Sequence, residues 1–577
     1  MNPKMKKNTS NSQGVVSLLG LLLLGGAWLV PNHNTPWVSF WNESLAFAGG
    51  FFLVFSQMAR LCRGRAVYVN PLQGSLLLLL VFSLLLQWGL GQHIFIADAW
   101  IVLLYAASFF LVFTAVQNSE DASLGQALAW VLMLVALGAV LVGVLQWQSN
   151  ASLEPFVVDL PSGSSIISNV AQRNHFSSIC FIGICLLLHL REENKLGLAA
   201  FALCLFVLLL GVALAQSRTV LLQASALFLL GFFSVKDKRK LYFITALGII
   251  AAFFVIKPIN LFLLLSEGRA VSIGDISSNT ARQEIWKTIL LAASQHPWLG
   301  YGWLRAATAH MSVAGQVSHS TGFGIIEYSH NIVLDLWVWL GAPLALAFIG
   351  LLGKIFQQAW QGSIRSTRLP FFIAAVGILI HSMLEYSYAY AYFLLPLAAF
   401  LALAAPLTPS TAWSLKKSKL LVLNALLAGL AILMLVDYAR IETSFVDARF
   451  TRSEFGKHLP TVPTAPLWLL DNVQAYHRAI AFKDWPLVSA EEVQNYQRVY
   501  LRYGYPAAMY DYALASKIVD HAFDESQVFM QICSIYSANI CQTYQQKWQT
   551  DSSQYLGPGL QGVQSAGGGS ASHAEGL

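Results

Sequence analysis

LGQALAWVLMLVALGAVLVGVLQ, residues 124–146, carries no charged side chain. A helix rises about 1.5 Å per residue, so roughly 20 apolar residues cross the hydrocarbon of a bilayer. This run is long enough to do so. Similar runs lie on both sides of it: 15–30, 44–61, 72–90 and 97–116 before, and 176–190, 196–216, 219–234, 241–257, 331–353, 371–387, 390–405 and 420–438 after. The pattern predicts an all-α polytopic membrane protein of about 13 transmembrane helices, within a range of about 11 to 14.

Composition agrees with that reading. The 577 residues are 56% hydrophobic and 11% charged, against about 25% charged in a soluble domain. The net charge of +6 does not point to nucleic acid, because the basic residues sit in short loops between apolar runs. The first run follows Lys4, Lys6 and Lys7 like the start of a signal peptide. No small-residue cleavage site follows it, so it reads as a retained first helix. Cys62, Cys180, Cys185 and Cys204 lie in or beside apolar runs without metal-ligand spacing and read as small buried residues. Cys533 and Cys541 would stand about 12 Å apart on one straight helix, too far for a disulfide. They can pair only if a turn intervenes.

Charge sets the orientation. With the N-terminus inside, Arg60, Arg63, Arg65, Arg191, Lys195, Lys236, Lys238, Arg239, Lys240, Lys354, Arg365, Arg368, Lys416, Lys417 and Lys419 all fall in inner segments. The short outer segments hold chiefly Arg173 and Arg218, as the positive-inside rule requires. Residues 147–175, 258–330 and everything beyond 439 are then expected outside. The chain divides into N-terminal spans (1–257), a large outer loop (258–330), C-terminal spans (331–438), a helical outer domain (439–550) and a Gly/Ser-rich tail (551–577) expected to be disordered. Pro506 to Tyr536 reads as a helical hairpin.

Polar groups near hydrocarbon are costly and usually functional. Here they collect at the outer ends of spans: Gln172, Arg173, Asn174 and His175; Arg218; Arg282; His330 and Asn331; His381, Glu385 and Tyr386. Each has a plainer reading alone, as a loop polar group, a snorkelling arginine, a packed histidine or an interfacial tyrosine. Their common depth is what makes them a candidate site. Thr280 and Gln283 fit a capping box, which would place Arg282 in a first helical turn, where a guanidinium and free N–H groups suit an anion. The apolar Ile285, Trp286, Ile289 and Leu290 would lay that helix on the membrane surface. Ser329 as N-cap would set His330 at a helix start, whose positive end favours the neutral imidazole that a general base needs. No Asp-x-Asp pair or His/Cys cluster offers a cation site on the outer face, so no metal and no cofactor is expected.

The blocks NVAQRNH (169–175), QSRT (216–219), ARQEIWKTILLAASQHPWLGYGW (281–303), YSHNIVLDLWVWLGAPLAL (328–346) and HSMLEYSYAYAYFLLP (381–396) resemble the O-antigen ligase superfamily. More narrowly, they resemble its PglL-type bacterial protein O-oligosaccharyltransferases. The resemblance covers about 150–440, and the C-terminal region is similar to that group's extra periplasmic domain. It implies a multi-pass enzyme of the bacterial inner membrane, with its active site at the periplasmic face. The implied reaction moves an oligosaccharide from undecaprenyl pyrophosphate to Ser or Thr of a pilin-like or other periplasmic protein. His330 matches the family's essential histidine, Gln172 and Tyr386 match further functional positions, and Arg218 and Arg282 match its arginines. Asn174, His175, Asn331 and Glu385 lie in the same blocks. The physical chemistry fits: paired arginines for a pyrophosphate leaving group, a histidine for the hydroxyl proton, and a single displacement that inverts the anomeric carbon. Competing expectations are an O-antigen ligase or polymerase, a lipid or glycan transporter, and a mere anchor. Transporters place polar groups and broken helices near the midplane, and an anchor leaves the outer polar layer unexplained.

Overall fold

The computed structural model of the chain describes residues 3–61, 66–148, 156–158, 160, 165–265, 278–317, 324–405, 407, 410–452, 466–481 and 485–556. The architecture is all-α and the protein is a multi-pass membrane protein. Among the described residues the strands are Ala66–Val69 and Trp413–Lys416, paired antiparallel with Ala66 opposite Lys416. Each apolar run read from the sequence is helical over most of its length. Among the described residues, 7 helices are long and apolar enough to cross a membrane. Shorter apolar helices are Gln13–Gly26, Thr219–Gly231, Leu369–Ser382 and Ala391–Ala404.

Several boundaries differ from expectation, each for a physical reason. The run at 331–353 is two helices, Ile332–Leu340 and Ala342–Ser363, broken at Gly341. A side chain at Gly341, φ +76°, would meet the Trp298 carbonyl at 2.3 Å. One at Gly300, φ +63°, would meet the Gly341 nitrogen at 2.7 Å. Only glycine lets two backbones touch this closely at positive φ. The 297–302 segment then bonds across the break, Tyr301 N to Val338 O at 2.8 Å and Ala342 N to Pro297 O at 2.7 Å. The run at 371–387 ends as a helix at Ser382, and a short 3-10 turn, Ser387–Ala389, leads into Ala391–Ala404. The helix Arg239–Leu265 passes the expected boundary at 257, and Lys417–Arg452 passes that at 438.

The C-terminal region is helical, with Asp471–Ala481, Ala490–Tyr503, Pro506–Val519, Ser526–Ile535 and Ala538–Tyr555. The expected hairpin is the pair Pro506–Val519 and Ser526–Ile535. Cys533 and Cys541 form a disulfide, because the second of these helices ends at Ile535 and a turn brings the next one back. The region is locked to the bundle through polar contacts at helix ends. Asp471 accepts from the amides of Ile96 and Ala97, capping the helix Ile96–Gln117. Arg502 forms a buried ion pair with Asp98 at 2.9 Å. Thr308 donates to Leu501 O and Gln531 to Met311 O. Cys62 and most of the tail expected at 551–577 lie outside the described residues; the last helix runs to Tyr555.

Candidate active site

Glu385 follows the end of the helix Leu369–Ser382, where its amide bonds to His381 O at 2.8 Å. That extra turn keeps the side chain inside the protein, 5% exposed. Four donors from three other segments converge on it. Its Oε1 accepts from Asn174 Nδ2 at 2.7 Å and from the Arg282 guanidinium; its Oε2 accepts from His330 Nδ1 at 2.6 Å and Gln172 Nε2 at 3.2 Å. Burial pushes the carboxyl pKa up, but the His330 hydrogen bond and charge and the Arg282 guanidinium outweigh it and hold the group down at about 2. Glu385 is therefore ionised at any working pH.

The chain around each donor explains its aim. Gln172 is the N-cap residue of Arg173–Glu192, in extended conformation after left-handed Ala171. Asn174 lies in the first turn and receives a hydrogen bond from Ser217 Oγ at 2.7 Å, next to Arg218. Arg282 lies in the second turn of Ser278–Gln295, not in a first turn. The helix starts ahead of the expected capping box, so the simple N-terminal anion site does not apply. Its apolar face is not laid on lipid either: Ile285 and Ile289 are buried in a cluster with Trp303, Leu336 and Val338, while Leu290 is exposed.

His330 has φ +59°, a conformation that costs a non-glycine residue energy and is kept only where surroundings enforce it. The N-cap of Ile332–Leu340 is Asn331, not Ser329: its side chain accepts from the amides of Val333 and Leu334. His330 thus stands before the helix, facing a carboxylate, and the helix-end argument for its neutrality loses its premise. The loop is clamped from three sides. Trp286 Nε1 donates to Ser329 O at 3.0 Å, Ser329 N donates to Asp335 Oδ1 at 2.8 Å, and the Tyr388 hydroxyl donates to Asp335 Oδ2. Tyr386 packs edge-on to the His330 ring at 5.0 Å and stacks on Tyr328 at 4.9 Å. An ionised carboxylate only accepts, so Nδ1 of His330 is the donor in this contact and Nε2 is the ring nitrogen not engaged by Glu385.

Gln172, Arg173, Asn174, Arg282, His330, Glu385 and Tyr386 line one cavity of about 1060 Å³. Arg218, Asn331 and His175 are not among its lining residues. Arg218 precedes the helix Thr219–Gly231, near enough to Arg173 for their charges to interact. Asn331 works as a cap. His175 is turned into the bundle, its Nδ1 3.2 Å from the Tyr392 hydroxyl and its ring against His381, Tyr390 and Phe393. Asp335, Tyr388 and Trp286 were not read from sequence as parts of the site, although Asp335 is a lone acid within an apolar run, itself a signal of function. Among the described residues no three His, Cys, Asp or Glu side chains group as a metal site would need.

Residues 203–349 match the O-antigen ligase family, and residues 373–549 match the C-terminal region of virulence factor membrane-bound polymerases. Arg218, Arg282 and His330 fall in the first match and Glu385 and Tyr386 in the second. The chain is 29% identical over 411 residues to a general O-oligosaccharyltransferase of Acinetobacter baylyi, covering 68% of this chain and 70% of that one. It is 27% identical over 387 residues to a ComP-specific O-oligosaccharyltransferase of the same organism, covering 65% and 68%. The chain thus carries an O-antigen ligase region at 203–349, and it is a membrane glycosyltransferase. Its likeness to the two O-oligosaccharyltransferases extends over about two thirds of its length.

Proposed function

We propose that this enzyme glycosylates proteins on oxygen, transferring an oligosaccharide en bloc from undecaprenyl pyrophosphate to a Ser or Thr of a pilin-like or other periplasmic protein. The reaction is placed at the periplasmic face of the bacterial inner membrane. The observation that carries the reading is the Glu385–His330 pair, with Nδ1 held by the carboxylate at 2.6 Å and the ring on the cavity wall. Nε2 takes the proton as the acceptor hydroxyl attacks the anomeric carbon. The C1–O bond to pyrophosphate breaks on the opposite side, so configuration inverts. Charge then builds on the departing pyrophosphate, where Arg282, Arg218 and Arg173 supply compensation. Arg282 has five N–H donors; the contact with Glu385 engages its Nη2 end. That leaves a role for the same guanidinium in aligning both base and leaving group.

The match to a ligase family keeps a second reading in play, in which the acceptor is another glycan or lipopolysaccharide. Purified enzyme given a polyprenyl-pyrophosphate oligosaccharide together with a pilin-like protein and a lipopolysaccharide core separates the two. Glycopeptide mass spectrometry is expected to find the intact oligosaccharide on Ser or Thr of the protein. Label on the core alone would replace the protein acceptor with a glycan one.

A further inference from the structure

The cavity that holds His330 is not made by the membrane helices alone. Its wall is made of three kinds of surface. Leu77, Phe109 and Phe356, from the helices Pro71–Gly89, Ile96–Gln117 and Ala342–Ser363, make one part. The charged Glu385, Arg282 and His330 make another. The remainder includes Trp37, Glu327, Arg502, Tyr503 and Tyr505, the last three from the C-terminal helical region. That last wall is ordered by its own contacts. The rings of Tyr503 and Tyr505 stack at 5.8 Å, with Tyr476 behind Tyr503 at 4.9 Å. Arg502 lies over Tyr503 and is neutralised by Asp98. The Tyr505 hydroxyl donates to Glu327 Oε1 at 2.7 Å, two residues before the loop that carries Ser329 and His330.

We infer that Tyr503, Tyr505 and Glu327 form a subsite for a sugar ring of the donor glycan beyond the one that reacts, so the C-terminal region reads the glycan. This rests on the reading of the donor above. The argument is that one cavity gathers three kinds of wall: apolar from the spans, charged at Glu385, Arg282 and His330, and aromatic and polar from the C-terminal region. The donor has three parts of the same kinds: prenyl chain, pyrophosphate and sugars. A sugar ring offers C–H faces to tyrosine rings and hydroxyls to a carboxylate, a mix of apolar body and polar edge that suits the third wall. An acceptor segment has no prenyl chain and no pyrophosphate, and needs only to reach His330.

The test uses the full-length enzyme in detergent with two donors on the same polyprenyl pyrophosphate, one bearing a single sugar and one the full oligosaccharide. Tyr505→Ala and the milder Glu327→Gln are expected to lower the preference for the long donor, as the ratio of kcat/KM values, by at least about tenfold for the alanine variant. Glu327→Gln keeps size and shape, so a lowered ratio in it answers the case in which Tyr505→Ala folds poorly. An unchanged ratio in Glu327→Gln and Tyr505→Ala alike overturns the subsite. So does a rise confined to the KM of the acceptor protein, which would make this wall an acceptor site. No transfer from either donor by the unmodified enzyme would end the parent reading, and this one with it.

Discussion

His330 and His175 are imidazoles at the same end of the helical bundle, but their surroundings are opposite in kind. His330 sits on a left-handed backbone, on the wall of a cavity, with one ring nitrogen taken by an ionised carboxylate. His175 sits inside a helix with its Nε2 buried and, among the described residues, unpartnered, beside His381, whose two ring nitrogens are unpartnered there as well. The first region spends backbone strain and a buried charge to aim a ring. The second spends unmade hydrogen bonds and aims nothing at the cavity. A buried donor or acceptor left unpaired is costly, but cost alone does not make a base. A base needs an orienting partner and a path to the substrate proton, and among these two only His330 has both.

The largest effect is expected from removing the base. General-base assistance is worth about 10²- to 10⁴-fold, so His330→Ala is expected to lower glycan transfer by that order. His330→Gln is the sharper variant: it can hold Glu385 through its amide but cannot take a proton, and should be nearly as inactive. Single-turnover transfer by purified enzyme measures both. Near-normal turnover of the glutamine variant would erase the distinction between the two regions and return His175 to candidacy.

Next is Glu385→Gln. The amide removes the charge that faces Arg282 and presents an N–H₂ to four groups that all donate to this position. Loss of about 10²-fold or more in kcat is expected from a misaimed imidazole. Since Glu385 is held down at about 2, its contribution to stability is present above the ordinary carboxyl range and is lost as pH falls through about 2. Mild acid should therefore leave the pair intact, and inactivation near pH 5 is not to come from this carboxyl. A thermal-denaturation series showing Glu385→Gln and the unmodified enzyme converging already at pH 5 would contradict that.

How far this contrast was legible in the sequence depends on range. The apolar runs are local facts, and each is helical over most of its length. The break at Gly341 was not legible, because its cause is the 297–300 segment pressing on it from elsewhere in the chain. Glu385 was legible as a polar residue at the right depth. Its place at the centre was not, since its partners lie 213, 211, 103 and 55 residues away. The capping box at Thr280 and the cap at Ser329 failed because a competing local choice won: an earlier helix start in one case, and Asn331 in the other. The disulfide was legible only as a condition, and the turn after Ile535 meets it.

Asp335 ranks third. It does not line the cavity, but it takes the Ser329 amide and the Tyr388 hydroxyl and so holds the strained turn before His330. Asp335→Asn keeps the shape and loses the charge. A drop of about 10-fold in kcat with little change in KM is expected, as for a positioning residue whose loss lets the reacting group drift. A change in KM alone would assign Asp335 to binding instead.

The smallest effect is expected at His175, and it tests the quiet half of the comparison. Its Nδ1 meets the Tyr392 hydroxyl, and its Nε2 meets nothing among the described residues. Replacing His175 by Phe removes one unpaired buried atom, which favours the folded state. It also strands the Tyr392 hydroxyl, at a cost of about 1–3 kcal/mol if no other partner is found. The single variant should therefore lose thermal stability while its turnover stays within about threefold of the unmodified enzyme. Adding Tyr392→Phe removes the stranded group, and replacing both partners of a buried pair can be close to neutral. The double variant should then recover the lost stability with turnover unchanged. Activity that collapses in both variants, with melting temperatures restored in the double one, could not come from folding. It would mean that the ring buried beside His381 moves protons after all.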